Sequence, residues 1–82
     1  MPYLVYILRC KDQTLYTGIT NDLKKRLAAH RAGTGAKYTR SHPPDKVVHT
    51  EKFPAKAGAL SRESEIKKLS RAKKLLLISN SG

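Results

Sequence analysis

The chain has 82 residues, enough for one domain with a core of modest size. It carries 17 Lys+Arg against 6 Asp+Glu, a formal net charge of +11, yet its 39% hydrophobic content excludes a disordered basic tail. That balance predicts a polyanionic partner, nucleic acid before membrane, and the spread of basic residues from Arg9 to Lys74 predicts a basic face rather than a detachable arm.

Cys10 is the only cysteine, which excludes an internal disulfide and a cysteine-based metal site and suits a reducing compartment. Met1 and Pro2 lead straight into an apolar segment with no basic n-region, so a signal peptide is not expected. The longest purely aliphatic run, residues 75–78, is far too short to cross a membrane. These features predict a cytoplasmic protein with no membrane partner.

In chain order, residues 3–8 and 14–19 read as two strands, aromatic and β-branched, separated by a polar turn over residues 9–13. Tyr6 and Tyr16 place a hydroxyl in each strand, and each needs a partner if buried. As packing residues of a hairpin the two tyrosines would need no further explanation. A helix is expected over residues 22–32, capped by Thr20 or Asn21, with Asp22 in its first turn and Gly33 at its end. Leu23 and Leu27 define its inward stripe; His30 falls inside that stripe and Arg26 at its margin, while Lys24, Lys25 and Arg31 point elsewhere.

Residues 33–44 read as a loop, made flexible at its entry by Gly33 and Gly35 and fixed at its exit by Pro43 and Pro44. Lys37 and Arg40 alternate there with Tyr38 and Thr39, offering phosphate contacts and a stacking ring. A third strand over residues 46–53 suits a sheet edge, and a helix over residues 55–69 follows, weakened by Gly58. On that helix Ala55, Ala59, Ile66 and Leu69 share a side, and Glu63 falls inside their apolar arc. A carboxylate there needs a cation, a metal or several donors; Lys67 one turn on and Arg26 across the core are the candidate cations. A short helix over residues 71–78, capped by Ser70, closes the core with its leucines, and residues 79–82 fray.

Two strand tyrosines, an Arg and a His on the first helix and a Glu on the second, in this chain order, resemble the GIY-YIG endonuclease domain. Leu4-Val5-Tyr6 stands at the first motif and Tyr16-Thr17-Gly18 at the second; Leu4 replaces the usual glycine and Thr17 the usual isoleucine. Leu23 to Leu27 is similar to the family's arginine helix, and Ala59 to Glu63 to its glutamate segment. Gly33 to Arg40 matches the Gly-x-Gly-Ala-x-Tyr-Thr-Arg loop typical of its small, single-domain branch. The resemblance covers nearly the whole chain. It implies a single α+β domain over residues 1–82, with a small three-stranded antiparallel sheet, order β-β-α-β-α-α, flanked by helices.

The resemblance further implies that Tyr6 is the general base or orients the attacking water, and that Tyr16 assists. It implies that Arg26 contacts the scissile phosphate, that His30 has a supporting proton or phosphate role, and that Glu63 holds one divalent metal, Mg²⁺ or Mn²⁺. One carboxylate suffices for Mg²⁺ when waters and substrate oxygens complete its shell. An adjacent Arg and a metal are expected to lower the Tyr6 pKa from its usual ~10. Lys24, Lys25, Lys37, Tyr38 and Arg40 complete the expected nucleic-acid surface.

The function expected is therefore a metal-dependent endonuclease acting on DNA rather than RNA, structure-dependent or weakly sequence-selective, with DNA repair or recombination as its setting. The alternative is a nucleic-acid-binding module that keeps the fold without catalysis. A monomer is expected, although an uncovered edge strand would permit a dimer.

Overall fold

A computed structural model describes residues 2–80. Strand β1 (Tyr3–Cys10) and strand β2 (Leu15–Thr20) form the expected hairpin, antiparallel, with Tyr6 opposite Gly18 and Leu8 opposite Tyr16. Its turn places Gln13 at φ +71, and the Asp12 carboxylate accepts the Thr14 amide and hydroxyl, which holds the reversal. Helix α1 (Leu23–Arg31) follows. Its cap is Asp22, whose side chain accepts from the Lys25 amide, rather than Thr20 or Asn21. Thr20 instead turns the chain into the cap, its hydroxyl accepting from the Asp22 amide.

At the other end of α1, the Gly33 amide donates to the His30 carbonyl and the Thr34 amide to the Ala29 carbonyl. That paired pattern demands a left-handed residue after the cap, and Gly33 supplies it at φ +80. The segment expected as a loop then contains a short helix α2 (Lys37–Ser41), so the element order gains one helix over the expected one. A five-residue helix leaves little periodicity to read in a stretch dominated by glycine and proline punctuation.

Strand β3 (Pro44–Phe53) starts two residues earlier than expected and pairs antiparallel with β1, giving the order β2-β1-β3. It is an edge, as its composition suggested, and Pro44 sits at its first position, where a missing N–H is tolerated. Helices α3 (Lys56–Lys67) and α4 (Arg71–Asn80) complete the α+β domain. The Ser70 hydroxyl accepts from the Lys73 amide, the expected cap. Ser79 and Asn80, expected to fray, continue α4, while residues 81 and 82 lie outside the described residues.

The sheet is covered on both faces because strand residues alternate sides. Val5 and Ile7 pack with Ala59 and Ile66 of α3, joined by Phe53, Leu77 and Ile78, to form the main core. Tyr6 and Leu8, on the other face, are equally buried, and Tyr6 meets α1 through His30. Three expected core contributors fall outside: Ala55 precedes α3 and is exposed, and Leu75 and Leu76 face solvent at 45% and 64% exposure. Only Leu77 and Ile78 of the α4 run join the core.

Candidate active site

Tyr6 leaves the middle of the central strand and lies over Gly18 on β2. A Cβ at position 18 would sit 2.6 Å from the Tyr6 hydroxyl and 2.8 Å from its Cζ. The second-motif glycine is thus a floor for the phenol; no larger residue leaves the ring where it is. The hydroxyl ends 2.8 Å from Nε2 of His30, which is the one fully buried residue of α1. Nδ1 of the same ring lies 2.7 Å from the Thr39 hydroxyl on α2. Position 35 is closed in the same way as position 18, since a Cβ there would stand 2.6 Å from His30 Nδ1.

Arg26, one turn before His30, supplies the positive charge. Its interaction with the Tyr6 hydroxyl raises its own pKa against the opposing effect of burial, with Tyr16 contributing. Arg26 Nε is buried with no partner among the described residues. Burial pushes the Tyr6 phenol above its ordinary value of 10.0. Arg26 pulls the other way, and Tyr16 and Glu63 add to the rise. The expected lowering by arginine is therefore present, but desolvation outweighs it and the phenol stays protonated at neutral pH. Burial, then the Arg26 charge, lowers the His30 pKa, so the imidazole is neutral under the same conditions.

Glu63 comes from α3, across the sheet, and its side chain is 18% exposed. Its charge is felt at the Tyr6 hydroxyl. The cation it pairs with is Lys67, at 3.5 Å and 53% exposed, rather than Arg26. A half-sheltered carboxylate with one loose, solvated partner fits a single-carboxylate metal site: the lysine can swing away, and waters and phosphate oxygens can fill the remaining positions. Among the described residues no cluster of three or more His, Cys, Asp or Glu exists. A metal held entirely by protein ligands therefore does not fit the described residues.

The rest of the expected surface divides. Lys24 and Lys25 are exposed on α1, and Lys25 joins Arg26 in lining a cleft of about 260 Å³ with Thr20, Asn21, Asp22 and Ala29. Tyr6 and Glu63 do not line that cleft. Lys37 and Arg40 are exposed on α2, and Arg40 Nε donates to the Gly33 carbonyl at 3.4 Å. Tyr38, expected as a free stacking ring, is already stacked with Tyr16 at 5.8 Å and with His42 at 4.2 Å. Tyr16 also meets the His30 ring edge-on at 5.2 Å, so the rings form one ladder from the buried histidine to the surface. Asp12 anchors its outer end, 2.6 Å from His42 Nδ1. Hydrogen bonds from the Thr14 hydroxyl and then from His42 hold the Asp12 carboxyl at about 2.

Sequence reasoning passed over Thr39, Gly35, Asp12 and His42 as participants. For Thr39 and Gly35 a signal existed, since both lie in the Gly33–Arg40 motif; their contacts to a helix residue nine and five positions earlier are tertiary.

The GIY-YIG catalytic domain matches residues 2–75. A UPF0213 protein of Natronomonas pharaonis is 54% identical over 78 residues, spanning 95% of this chain and 92% of its own. A UPF0213 protein of Clostridium perfringens is 59% identical over 76 residues, 93% of this chain and 82% of its own. The solution structure of a UPF0213 protein from Bacillus halodurans, 49% identical, superposes with a TM-score of 0.65 over 100% of this chain and 87% of that one. That of a protein from E. faecalis, 36% identical, superposes with a TM-score of 0.67 over 98% of this chain and 85% of that one. With matches of this extent on top of the tyrosine, arginine, histidine and glutamate geometry, the chain belongs to the GIY-YIG nuclease family, alongside the small UPF0213 proteins.

Proposed function

We propose that the protein is a divalent-metal-dependent endonuclease that hydrolyses DNA phosphodiester bonds. The observation that carries this reading is the environment of one hydroxyl. The Tyr6 phenol is in hydrogen-bond contact with a buried neutral imidazole, and both Arg26 and Glu63 act on it electrostatically. A core tyrosine kept only for packing needs one hydrogen-bond partner, not a proton acceptor, a guanidinium and a carboxylate together.

In this reading Tyr6 orients or deprotonates the attacking water, and His30 takes the supporting proton role. Arg26 neutralises charge that builds on the scissile phosphate through the terminal nitrogens of its guanidinium. Tyr16 holds the Tyr6 and His30 rings in place, 6.4 Å and 5.2 Å away between centroids. Glu63 would hold Mg²⁺ or Mn²⁺, which when bound supplies further charge neutralisation at the phosphoryl oxygens. Lys24, Lys25, Lys37 and Arg40 contact backbone phosphates, which position a strand without reading its sequence. Cleavage that is structure-dependent or weakly sequence-selective is expected, with repair or recombination as the setting.

The test incubates purified protein with flapped, branched, single-stranded and duplex DNA, with Mg²⁺ or Mn²⁺ and then with EDTA. Wild type is expected to cut at least one substrate, and Glu63→Ala to lose about 100-fold or more, the scale of one electrostatic contact to a transition state. Equal behaviour of the two on every substrate sinks the reading. Salt-sensitive binding without cleavage by either would point instead to a nucleic-acid-binding module on the same fold.

A further inference from the structure

The hydrogen-bond chain from Tyr6 does not stop at His30. His30 is 1% exposed and Thr39 2%, and their contact at 2.7 Å lies beside Gly35, where an added Cβ would stand 2.6 Å from Nδ1. The Thr39 hydroxyl also lies 3.2 Å from the Ala36 carbonyl, at the start of α2. A carbonyl has no hydrogen to give, so the hydroxyl hydrogen must point to Ala36 for that contact to be favourable. Spent there, Thr39 has only lone pairs to offer His30. Nδ1 must then carry the ring hydrogen, and in a neutral imidazole Nε2 is bare and accepts from the Tyr6 hydroxyl. The reverse assignment turns the Thr39 hydroxyl onto Nδ1 and sets its oxygen against the Ala36 carbonyl at 3.2 Å with no hydrogen between them, leaving that carbonyl the Arg40 amide as its donor.

We propose that Thr39 is a positioning residue of the site: its hydroxyl on α2 fixes His30 in the Nδ1–H form and keeps Nε2 as the acceptor for the Tyr6 proton. The catalytic consequence rests on the nuclease reading above, whereas the ring form itself is a property of the free protein. In the proton step the Tyr6 O–H bond breaks and an N–H bond forms at Nε2, giving phenolate and imidazolium. The phenolate then takes a proton from the attacking water. Thr39 accepts from Nδ1–H before and after this transfer, so no buried hydrogen bond is broken when the charge appears. The small helix α2 acquires a purpose by this account. It holds a hydroxyl against a nitrogen of a buried ring.

The test reads the histidine nitrogens of the intact, metal-free, ¹⁵N-labelled protein at pH 8 by long-range ¹H–¹⁵N correlation. Wild-type His30 is expected to show a protonated Nδ1 and a bare Nε2. Thr39→Ser, which retains the hydroxyl, is expected to keep that pattern. Thr39→Val, which sets a methyl group against Nδ1, is expected to invert it, with the hydrogen moving to Nε2. On a substrate that wild type cleaves, Thr39→Val should lower kcat by about 10- to 100-fold, the usual effect of removing the outer partner of a working histidine, with KM unchanged and Thr39→Ser near wild type. A wild-type ring that is Nε2–H or doubly protonated at this pH overturns the proposal without recourse to any variant. An unchanged spectrum in a folded Thr39→Val overturns it too. The expected ring pattern in a protein that cleaves nothing supports the positioning role and defeats the nuclease reading, so the two failures are distinct.

Discussion

Thr17 and Thr39 are both buried, at 4% and 2% exposure, and their hydroxyls fare differently. Thr39 bonds His30 and Ala36, whereas the Thr17 Oγ1 has no partner among the described residues. Thr17 pairs with Ile7 and so sits on the α3 face, away from Tyr6 and His30. Leaving a hydroxyl buried and unbonded costs about 1–3 kcal/mol, and valine fills the same volume without it. Thr17→Val is therefore expected to stabilise the domain by about 1 kcal/mol, a rise in Tm of roughly 4–8 °C by thermal unfolding. An unchanged or lower Tm would mean that the hydroxyl has a water partner. Tyr6 illustrates the opposite choice at this scale. Its hydroxyl is satisfied but kept at a raised pKa, so the resting phenol is a proton donor and needs the neutral His30 beside it to become anything else.

Between elements, β3 and α3 are clamped by a polar network on the face opposite Tyr6. Arg62 donates twice to the Glu51 carboxylate, at 2.8 and 3.1 Å, and His49 lies 2.7 Å from the same carboxylate. Arg62, then His49, hold the Glu51 pKa below its ordinary value against the effect of burial. The side chains of Glu51, Arg62 and His49 are 23%, 30% and 5% exposed, so removing the carboxylate strands two donors in a sheltered place. Glu51→Ala is expected to cost about 1–3 kcal/mol in urea unfolding. On the proposed nuclease reading, the same variant should weaken cleavage more than DNA binding, because α3 also carries Glu63. An effect on stability within about 0.5 kcal/mol, the range of ordinary surface changes, would show that the clamp is incidental. Glu51 is nearly as sheltered as Glu63 but is engaged by Arg62 and His49, whereas among the described residues the ion pair of Glu63 is with the exposed Lys67.

Across the whole molecule, the titrating groups bound the pH range of stability from both sides. His30 is lowered below 6.5 in the fold by burial and by Arg26, so its contribution is present above 6.5 and lost as pH falls toward its folded value. Glu51, Asp45 and Asp12 are lowered as well, and theirs is lost further into acid, beginning below about 4.5 for Glu51. Tyr6 is raised above 10.0, so its contribution is present below 10.0 and lost as pH climbs toward the folded value. Burial likewise raises the Cys10 thiol above 9.0, so stability is expected to be flat between about pH 6.5 and 9 and to fall on either side. Urea titrations over this range check it, and His30→Gln should remove the first acid step while leaving the carboxylate step. A stability that falls steadily between pH 7 and 9 would contradict the assignment. The formal charge of +11 is also a whole-molecule property, and no single cluster carries it: Lys24 and Lys25 lie on α1, and Lys37 and Arg40 on α2.

Much was settled by residue type and spacing, because those act locally. Alternating strand residues set the hairpin, the helix wheel put His30 inward and Arg26 at the margin, and Ala59 and Ile66 were placed on the buried side of α3. Five short motifs in order were enough to indicate the family, since each stands on an element whose own sequence favours it. The tertiary structure alone decided contacts between residues far apart in the chain. It set burial above Arg26 in fixing the Tyr6 pKa and drew Tyr38 into a stack with Tyr16 and His42. It also turned part of an expected loop into α2 and put the Thr39 hydroxyl on His30. A ring tautomer depends on what lies at both nitrogens, one partner coming from a strand and the other from a separate helix. No periodicity within a single element encodes that.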